Sequence, residues 1–253
     1  MSLQIGEAIA VISDVHGNVY ALDAVLADVE RRGISQVVNL GDSLFGPIAP
    51  VETAERMMTY PNMISIRGNC DRYLLENKTD SLTYQQVYPL LSPEILDWLG
   101  SHSMTYAWED ILFCHATPFT DDASLIEKVT ENGVVDKPIE VLSAELQAIP
   151  QKVIVCGHTH VPKNVFLPDG KWIVNPGSVG FPAYYEESPH PHVMESHSPH
   201  AKYAILQRVE EGWSLAHVCI PYDWERASRR AEQFGRMDYA YAIRSGKAYI
   251  PQA

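Results

Sequence analysis

The sequence predicts an α/β fold, and three observations support that prediction. Short, continuous apolar runs recur along the 253 residues, as expected for strands that are buried on both faces of a sheet. Segments with apolar residues at helical spacing lie between several of these runs, so strands and helices alternate. Most of the runs end in a polar side chain, and ligand sites in α/β sheets lie at the carboxyl ends of strands.

The individual elements follow from the same patterns in chain order. The apolar run at residues 8–12 predicts a first strand, and the spacing of apolar residues over 22–29 predicts a helix that ends near Gly33. Alternation over residues 202–220 predicts two strands joined by a turn, and the charged segment 223–234 is helix-prone. Further strands are predicted at residues 36–40, 63–66, 111–114, 153–156 and 172–174.

We expect a single domain that spans residues 1–253, because the chain shows no repeat and no interdomain linker. A helical insertion is expected at about residues 71–100 and a histidine-rich loop at about residues 181–200. Within that loop, the segment from Ser188 to His200 contains four histidines and three prolines. Because proline disfavours regular helices and central strands, this segment is predicted to be irregular.

The composition limits the classes of partner. A formal net charge of −13 disfavours binding to nucleic acid or to an anionic membrane, and an anionic substrate would need a local positive feature such as bound cations. No apolar run approaches the ~18 residues that a membrane span requires, and the first residues lack the pattern of a secretory signal. We therefore expect a cytoplasmic protein. The four cysteines form no closely spaced pair, so a zinc ribbon is not predicted.

Five of the predicted strands are followed by side chains that can bind a metal ion. If these strand ends meet, they bring about seven nitrogen and oxygen ligands together. Carboxylate oxygen combined with imidazole nitrogen suits Mn, Fe, Zn, Ni or Co, and the lack of thiolates argues against a structural zinc site. Each motif alone would be compatible with a turn or a buried structural histidine. The complete set is Asp14, His16, Asp42, Asn69, His115, His158 and His160.

Two ions fit this set better than one, because a single ion would be saturated before all seven side chains were used. In two-metal sites the ions lie ~3.5–4 Å apart, and a carboxylate commonly bridges them. Asp42 stands alone at its strand end and is the expected bridge. Two divalent cations would also outweigh the aspartates and create a positive pocket in an acidic protein.

The order of the motifs resembles that of the calcineurin-like metallophosphoesterases, over residues 9–180 or so. The segments after the second strand and at residues 175–180 are similar to those of the small bacterial and archaeal phosphoesterases. The resemblance implies a four-layer α/β/β/α sandwich of two packed mixed sheets flanked by helices, with the active site at the carboxyl ends of the strands. The motifs that carry it are Asp14-x-His16, Gly41-Asp42, Gly68-Asn69-x-Asp71, His115 and Gly157-His158-x-His160.

The resemblance also implies roles. Asp14, His16 and His160 would bind one ion, and Asn69, His115 and His158 the other, with Asp42 as the bridge. Asp42, Asn69 and Asp71 are the expected catalytic group, and Mn²⁺ is the favoured metal, with Fe, Zn, Ni or Co as alternatives. The implied reaction is in-line attack on phosphorus by a hydroxide activated between the two divalent metal ions.

We therefore predict an enzyme that hydrolyses a small phosphate-ester or nucleotide-type substrate, with phosphodiesters favoured over phosphomonoesters. A phosphatase or a nucleotide pyrophosphatase is the alternative activity. A non-enzymatic alternative is a metal-binding scaffold or sensor, as in the retromer subunit that resembles this family. A scaffold could lose ligands, whereas every expected ligand position is filled here. The oligomeric state is left open.

Two features depart from the family pattern. Many members have histidine where this chain has Cys70, and a thiol is a weak hydrogen-bond donor, so protonation of the leaving group from this position is not expected. Cys70 and Arg67 are candidate substrate-binding residues, and the alternatives are a packed, inert thiol and a surface charge. The histidine-rich loop lies next to the expected site, either as a lid or as a solvated surface loop.

Overall fold

The computed structural model describes residues 4–76 and 80–251. Two mixed sheets of five strands each pack face to face with helices on both outer sides, which confirms the predicted four-layer α/β/β/α sandwich. The strands are β1 (Ala8–Ile12), β2 (Gln36–Asn39), β3 (Met63–Ser65), β4 (Thr105–Trp108), β5 (Ile111–Cys114), β6 (Glu127–Thr130), β7 (Gly133–Asp136), β8 (Val153–Val155), β9 (Lys163–Phe166), β10 (Trp172–Asn175), β11 (Ala183–Glu186), β12 (His192–Glu195), β13 (Ala201–Val209) and β14 (Gly212–Ile220). The helices are α1 (Val19–Arg31), α2 (Pro50–Thr59), α3 (Asn69–Leu75), α4 (Leu82–Val87), α5 (Pro93–Gly100), α6 (Ile139–Glu145), α7 (Trp224–Gln233) and α8 (Met237–Ser245), with a 3₁₀ turn at Tyr88–Leu90.

The strand order places the ends of the parallel strands together. The first sheet has the order β14-β13-β1-β2-β3, and β1, β2 and β3 run parallel. The second sheet has the order β4-β5-β8-β10-β9, and β5, β8 and β10 run parallel. The carboxyl ends of neighbouring parallel strands lie at the same edge of a sheet. The loops that follow these strands are therefore close together in each sheet.

The core explains why the strands are apolar throughout. On β1, Ile9 and Val11 face the second sheet and pack in one buried cluster with Phe113 of β5. The alternate residues Ala10 and Ile12 face the helical layer of α1. Because successive side chains of a strand point to opposite faces, a strand between two buried layers has no solvent-facing position.

The outer layers close the sandwich. Asn18 caps the start of helix α1, and its side chain accepts a hydrogen bond from the backbone N–H of Ala21 (3.2 Å). Helix α6 buries Leu142 against Ile154 and Ile173 on the outer face of the second sheet. Helices α3 to α5 fall in the segment of the expected helical insertion, of which residues 77–79 lie outside the described part. No helix within residues 4–76 and 80–251 combines the length and apolar character of a membrane span.

The prediction of an irregular histidine-rich segment is wrong for residues 192–195. Strands β11 and β12 pair antiparallel, with Ala183 opposite Glu195 and Glu186 opposite His192. The prolines at positions 189 and 191 lie in the connection, where they remove no hydrogen bond from the pairing. The ribbon packs on helices α7 and α8 through the partly buried Tyr185 and Val193.

A buried polar contact joins the first helix to the first sheet. Tyr203 of β13 is fully buried, and its hydroxyl donates a hydrogen bond to Asp28 Oδ2 on α1 (2.5 Å). Asp28 is 2% exposed and also accepts hydrogen bonds from Arg31 and Arg32, each at 2.7 Å. The carboxylate is therefore compensated from both sides, as a buried charge requires.

Replacing Tyr203 with Phe should reduce the free energy of unfolding by about 1–3 kcal/mol, because a hydrogen bond to a buried carboxylate is lost. Urea denaturation of the wild-type protein and of Tyr203→Phe measures this difference. The exposed Tyr241 provides a matched control, since Tyr241→Phe should change stability by less than about 0.5 kcal/mol. Equal stabilities of the two variants would show that the Tyr203 hydroxyl contributes nothing.

Candidate metal centre

All seven predicted ligand residues lie together where the strand ends of the two sheets meet. The loop after β1 carries Asp14 and His16, the turn after β2 carries Asp42, and Asn69 is the first residue of α3 after β3. The second sheet contributes the remaining residues, which follow β5 and β8. Six of the seven are buried, and His158 is half-buried: Asp14, His16, Asp42, Asn69, His115 and His160 are the buried ones.

One half of the cluster contains Asp14, His16 and His160. The Nε2 atoms of the two imidazoles lie 3.2 Å apart, and His160 Nε2 lies 3.3 Å from Asp14 Oδ1. One nitrogen or oxygen atom from each of the three residues fits within 4.8 Å of the others. These separations suit three groups that share a cation.

The other half of the cluster centres on the side-chain oxygen of Asn69. His115 Nε2 lies 3.0 Å from Asn69 Oδ1, and His158 Nδ1 lies 3.2 Å from the same atom. Asp42 lies between the two halves, with its Oδ2 3.8 Å from His16 Nε2 and 3.5 Å from His115 Nε2. Asp42 is therefore within reach of both groups of imidazoles.

Backbone carbonyl groups fix the orientation of three imidazoles. The Nδ1–H groups of His16, His115 and His160 donate to carbonyl oxygens at 2.8, 2.9 and 2.5 Å. A carbonyl oxygen can only accept, so the proton of each neutral ring lies on Nδ1 and the Nε2 lone pair faces the cluster. Histidines that bind metals in proteins are held in this way. The accepting carbonyl groups belong to Phe45, Leu40 and Phe181.

This arrangement leaves the cluster short of positive charge. The lone pairs of His16 and His160 face each other at 3.2 Å, where two neutral imidazoles repel. Asp14 Oδ1 is buried and has no hydrogen-bond partner among the described residues. A buried carboxylate without a hydrogen bond is costly unless it is paired or coordinates a metal. The carboxylate and imidazole donors therefore fit divalent cations.

The pKa values of the cluster reflect the same imbalance. Burial and the neighbouring imidazole of His160 lower the pKa of His16, which favours its neutral form. Burial alone would also lower the pKa of His115, but the carboxylate of Asp42 outweighs it and raises the pKa to about 10. A proton on His115 can thus balance the carboxylates, and a cation that binds the ring must displace it.

Five of the seven residues have a left-handed backbone, which is uncommon for residues other than glycine. Each such residue costs on the order of 1–3 kcal/mol and persists only where the surrounding structure holds it. Hydrogen bonds between the first two loops do so, since the N–H of Asp14 donates to Gly41 O (3.0 Å) and that of His16 to Asp42 O (2.9 Å). The φ angles are 56° for Asp14, 47° for His16, 56° for Asp42, 70° for His158 and 61° for His160.

Asp71 supports the turn that carries Asp42. It is fully buried, and its carboxylate accepts hydrogen bonds from the backbone N–H groups of Asp42 (2.8 Å), Ser43 (2.9 Å) and Gly68 (3.1 Å). Gly68 has no room for a side chain, because a Cβ atom there would lie 2.1 Å from Asp42 Oδ1. The glycine of the third motif thus lets α3 approach the aspartate closely.

The two candidate substrate-binding residues lie in different surroundings. The backbone N–H of Cys70 donates to Asp42 Oδ1 (2.9 Å), and its thiol lies with His16 and Asp42 in a group whose ligand atoms are within 4.8 Å. Burial and the carboxylate of Asp42 raise the pKa of this thiol well above its usual range. Arg67 follows β3, where its N–H donates to Ser103 O (2.8 Å) and its Nε is buried with no hydrogen bond in the described part of the chain.

Sequence reasoning missed the groups that hold the site together. The carbonyl groups that orient the imidazoles carry no signal, because every residue has one. The ring of Tyr184, which the motif pattern does not include, packs against His160 at a centroid distance of 4.8 Å. Phe181 also packs against His160, at 5.8 Å. Their position just after the 175–180 segment is the only signal that could have indicated this role.

Comparisons with known proteins show which family the chain resembles. The model of the calcineurin-like phosphoesterase superfamily domain matches residues 8–198. Protein MJ0912 of Methanocaldococcus jannaschii is 29% identical over 199 residues, which cover 69% of this chain and 76% of that protein. Phosphodiesterase YfcE of Escherichia coli K12 is 29% identical over 181 residues, which cover 67% of this chain and 78% of that protein.

A solved structure shows that the fold is shared. The metallophosphoesterase from Sphaerobacter thermophilus superposes with a TM-score of 0.71 at 21% identity, over 93% of this chain and 99% of that one. The family model spans well over half of the chain, and the family resemblance predicted from the order of the motifs is confirmed. The chain therefore belongs to the calcineurin-like phosphoesterase superfamily, a family of metal-dependent hydrolases that act on phosphoric esters.

Proposed function

We propose that this protein is a phosphodiesterase with two divalent cations at the candidate metal centre. The observation that carries the proposal is the inward orientation of the imidazole Nε2 atoms beside two buried carboxylates, one of which, Asp14, has an oxygen with no hydrogen-bond partner among the described residues. Asp14, His16 and His160 would hold one cation, and Asn69, His115 and His158 the other. Asp42 would bridge them, because its carboxylate is within reach of both groups.

The cations would supply Lewis-acid stabilisation of the phosphoryl oxygens and would activate water for attack on phosphorus. The protein fixes the positions of the side chains that would hold the cations. Carbonyl groups hold three of the imidazoles, and Asp71 holds the backbone of the turn that carries Asp42. We infer that Asp71 is a positioning residue, because both of its carboxylate oxygens accept backbone hydrogen bonds.

Two recesses beside the cluster support a preference for diesters. The aromatic recess (Phe181, Tyr184 and Tyr239) has a volume of about 520 Å³, and the Asn69 recess (Asn69, His158 and Tyr184) about 420 Å³. Tyr184 lines both recesses, and candidate ligand residues line the Asn69 recess. A phosphodiester carries two organic groups, whereas a monoester carries one, so two adjoining recesses suit a diester.

Cys70 supports the same preference. A monoester with a poor leaving group needs a proton donor, and the thiol at this position is a weak one. A diester with a good leaving group depends less on that proton. The relative YfcE is named a phosphodiesterase, and this name is a further, weaker support at 29% identity.

We also propose Mn²⁺ as the metal and the cytoplasm as the location. Carboxylate oxygen with imidazole and carboxamide donors is compatible with Mn²⁺, and cellular supply decides among the metals that accept such ligands. The cysteines are all free thiols, as is typical of a reducing compartment. The acidic surface favours a small phosphate ester over nucleic acid as the substrate.

Removal and replacement of the metal should control both stability and turnover. Metal-stripped protein should melt at a higher temperature after addition of Mn²⁺, because the cations bind the folded state alone. The same addition should restore hydrolysis of bis-p-nitrophenyl phosphate. Differential scanning fluorimetry and release of p-nitrophenol measure the two effects in parallel, with Mg²⁺, Co²⁺, Ni²⁺ and Zn²⁺ as comparisons.

The variant His158→Asn should lower kcat/KM of the Mn²⁺-loaded protein at least about 100-fold. Asparagine tolerates the left-handed backbone of this position, so the loss would reflect the missing imidazole. His197→Asn is the matched control, since His197 is also left-handed and its side chain is 67% exposed. Protein that binds two cations but hydrolyses no ester would favour a scaffold or sensor role instead.

Introducing a proton donor should change the preference between esters. Cys70→His should raise the activity on p-nitrophenyl phosphate relative to bis-p-nitrophenyl phosphate by about tenfold or more, because an imidazole can donate where the thiol does poorly. The ratio of the two kcat/KM values is the measurement. Cys219→His, on the exposed surface of β14, should leave the ratio unchanged. An unchanged ratio in Cys70→His as well would contradict this role of position 70.

A further inference from the structure

A bidentate ion pair joins helix α3 to the loop that follows β5. Arg72 lies on α3, three residues after Asn69, and its Nε and Nη2 atoms donate to different oxygens of Asp121, each at 2.9 Å. Asp121 is 7% exposed, and the side chain of Arg72 is 23% exposed. The neighbouring Asp122 lies farther away, with its Oδ2 3.5 Å from Nη2. Two parallel hydrogen bonds fix the orientation of the groups as well as their distance.

The helix ties Arg72 to Asn69. The backbone N–H of Arg72 donates to Gly68 O (3.1 Å), and its Nη1 atom donates to Glu76 Oε2 (3.1 Å). The guanidinium carbon lies 5.1 Å from the centroid of the Tyr73 ring. These contacts hold the arginine side chain against α3, so the guanidinium group follows the position of the helix that begins at Asn69.

A tight turn ties Asp121 to His115. The backbone N–H of Thr117 donates to Thr120 O (3.0 Å). The hydroxyl oxygen of Thr117 accepts hydrogen bonds from the N–H groups of Phe119 (3.1 Å) and Thr120 (2.9 Å). Because the turn restricts the connection between His115 and Asp121, the position of one residue depends on that of the other.

The metal centre has an Asp14 half and an Asn69 half, which contain Asp14, His16 and His160 and Asn69, His115 and His158, respectively. Different contacts join the two sheets at each half. In the Asp14 half, the backbone N–H of Gly180 in the loop after β10 donates to Asp14 O (3.1 Å). In the Asn69 half, Asn69 comes from the first sheet and His115 from the second. The ion pair joins the two segments that carry them.

Both members of the ion pair are charged. Burial alone would raise the pKa of Asp121, but the hydrogen bonds and the charge of Arg72 outweigh it and lower the pKa below its usual value. The guanidinium group stays protonated in proteins. Separating the pair would leave a largely buried carboxylate without its partner, which is unfavourable. The contact therefore resists movement of α3 away from the loop after β5.

The ion pair bears on cation binding through the separation of two candidate ligands. Asn69 Oδ1 and His115 Nε2 lie 3.0 Å apart, and a shared cation needs both at a fixed distance. We propose that Arg72 and Asp121 are positioning residues, and that their ion pair sets the affinity of the Asn69 half for its cation. This inference rests on the proposed function for the presence of the two cations.

Binding of Mn²⁺ distinguishes this role from a purely structural one. Electron paramagnetic resonance of metal-stripped protein titrated with Mn²⁺ measures the free ion, and so gives the number and the Kd of the bound ions. We expect two bound ions in the wild-type protein. In Arg72→Gln the Kd of one ion should rise at least about tenfold, while that of the other changes less than about twofold. Asp121→Asn should give the same pattern, and the double variant should add little, because both changes remove one contact.

The variant His158→Asn identifies the ion concerned. It lacks a candidate ligand of the Asn69 half, so the ion that it still binds tightly lies in the Asp14 half. Adding Arg72→Gln to this variant should leave the Kd of that ion unchanged. A further loss of affinity would show that the ion pair acts on the Asp14 half and would overturn the inference.

Two control variants test whether the effect is specific. Glu76→Gln removes another partner of the same guanidinium group, but Glu76 adjoins α3 itself and its side chain is 47% exposed. Both Kd values should stay unchanged. Arg32→Gln breaks the ion pair with the buried Asp28, just before β2 and at the opposite end of that strand from Asp42. It should lower the melting temperature and leave both Kd values unchanged.

A conservative variant covers the case in which Arg72→Gln does not fold. Arg72→Lys keeps the charge but cannot form the bidentate contact, so it should show a smaller loss of affinity for the same ion. Folded variants of Arg72 and Asp121 that melt at a lower temperature but bind both ions with wild-type Kd values would overturn the inference.

The two proposals fail in different ways. Wild-type protein that binds two ions, loses one in Arg72→Gln and hydrolyses no ester would refute the proposed activity and support the positioning role. Wild-type protein that hydrolyses bis-p-nitrophenyl phosphate, with unchanged Kd values in Arg72→Gln, would do the opposite. Wild-type protein that binds fewer than two ions would refute both.

Discussion

The site depends on three hydrogen bonds from imidazole Nδ1–H groups to backbone carbonyl oxygens. They direct the Nε2 lone pairs of His16, His115 and His160 into a buried space that already contains two carboxylates. Without cations this arrangement is unfavourable, since lone pairs face each other at 3.2 Å and a buried carboxylate oxygen lacks a partner. The rest of the fold must therefore hold these residues in place. Five of the seven candidate ligands have a left-handed backbone, which is itself energetically unfavourable.

The packing of the two sheets imposes the arrangement. The first sheet carries Asp14 and Asp42, and the second carries His115 and His158, so the distances between ligands depend on the interface between the sheets. That interface is a close-packed apolar core, which transmits displacement rather than absorbing it. A hydrogen bond between loops of the two sheets also fixes the relative positions of the candidate ligands: the N–H of His158 donates to Asp14 Oδ2 (3.2 Å). A ligand set divided between sheets is therefore as rigid as the core beneath it.

The sequence predicted the parts of the molecule that have a local signal. The apolar runs at β1 and β5 predict buried strands, and the polar residues that follow these runs predict the site. The β6–β7 hairpin was not predicted, because the charged residues Glu127 and Lys128 give no apolar strand pattern, although tertiary packing buries Glu127. The β11–β12 hairpin was missed because its prolines suggested a loop, although they lie in the connection. Carbonyl groups such as Phe181 O cannot be predicted from residue identity, since only the fold decides which carbonyl lies beside an imidazole.

These differences correspond to two parts of the fold with different roles, the strand ends that carry the candidate metal ligands and the hairpins that line the recesses. The candidate ligand residues come from strand ends, where the backbone is fixed by parallel pairing and by the core. Much of the recess walls comes from hairpins, which lie outside the two main sheets and can vary without moving the strand ends. Tyr184 is the residue where the two parts meet, because its ring packs on His160 and it also lines both recesses. A change in the hairpins can therefore alter which ester is bound while the geometry of the metal centre is kept, which is how one metal-binding framework can serve different substrates.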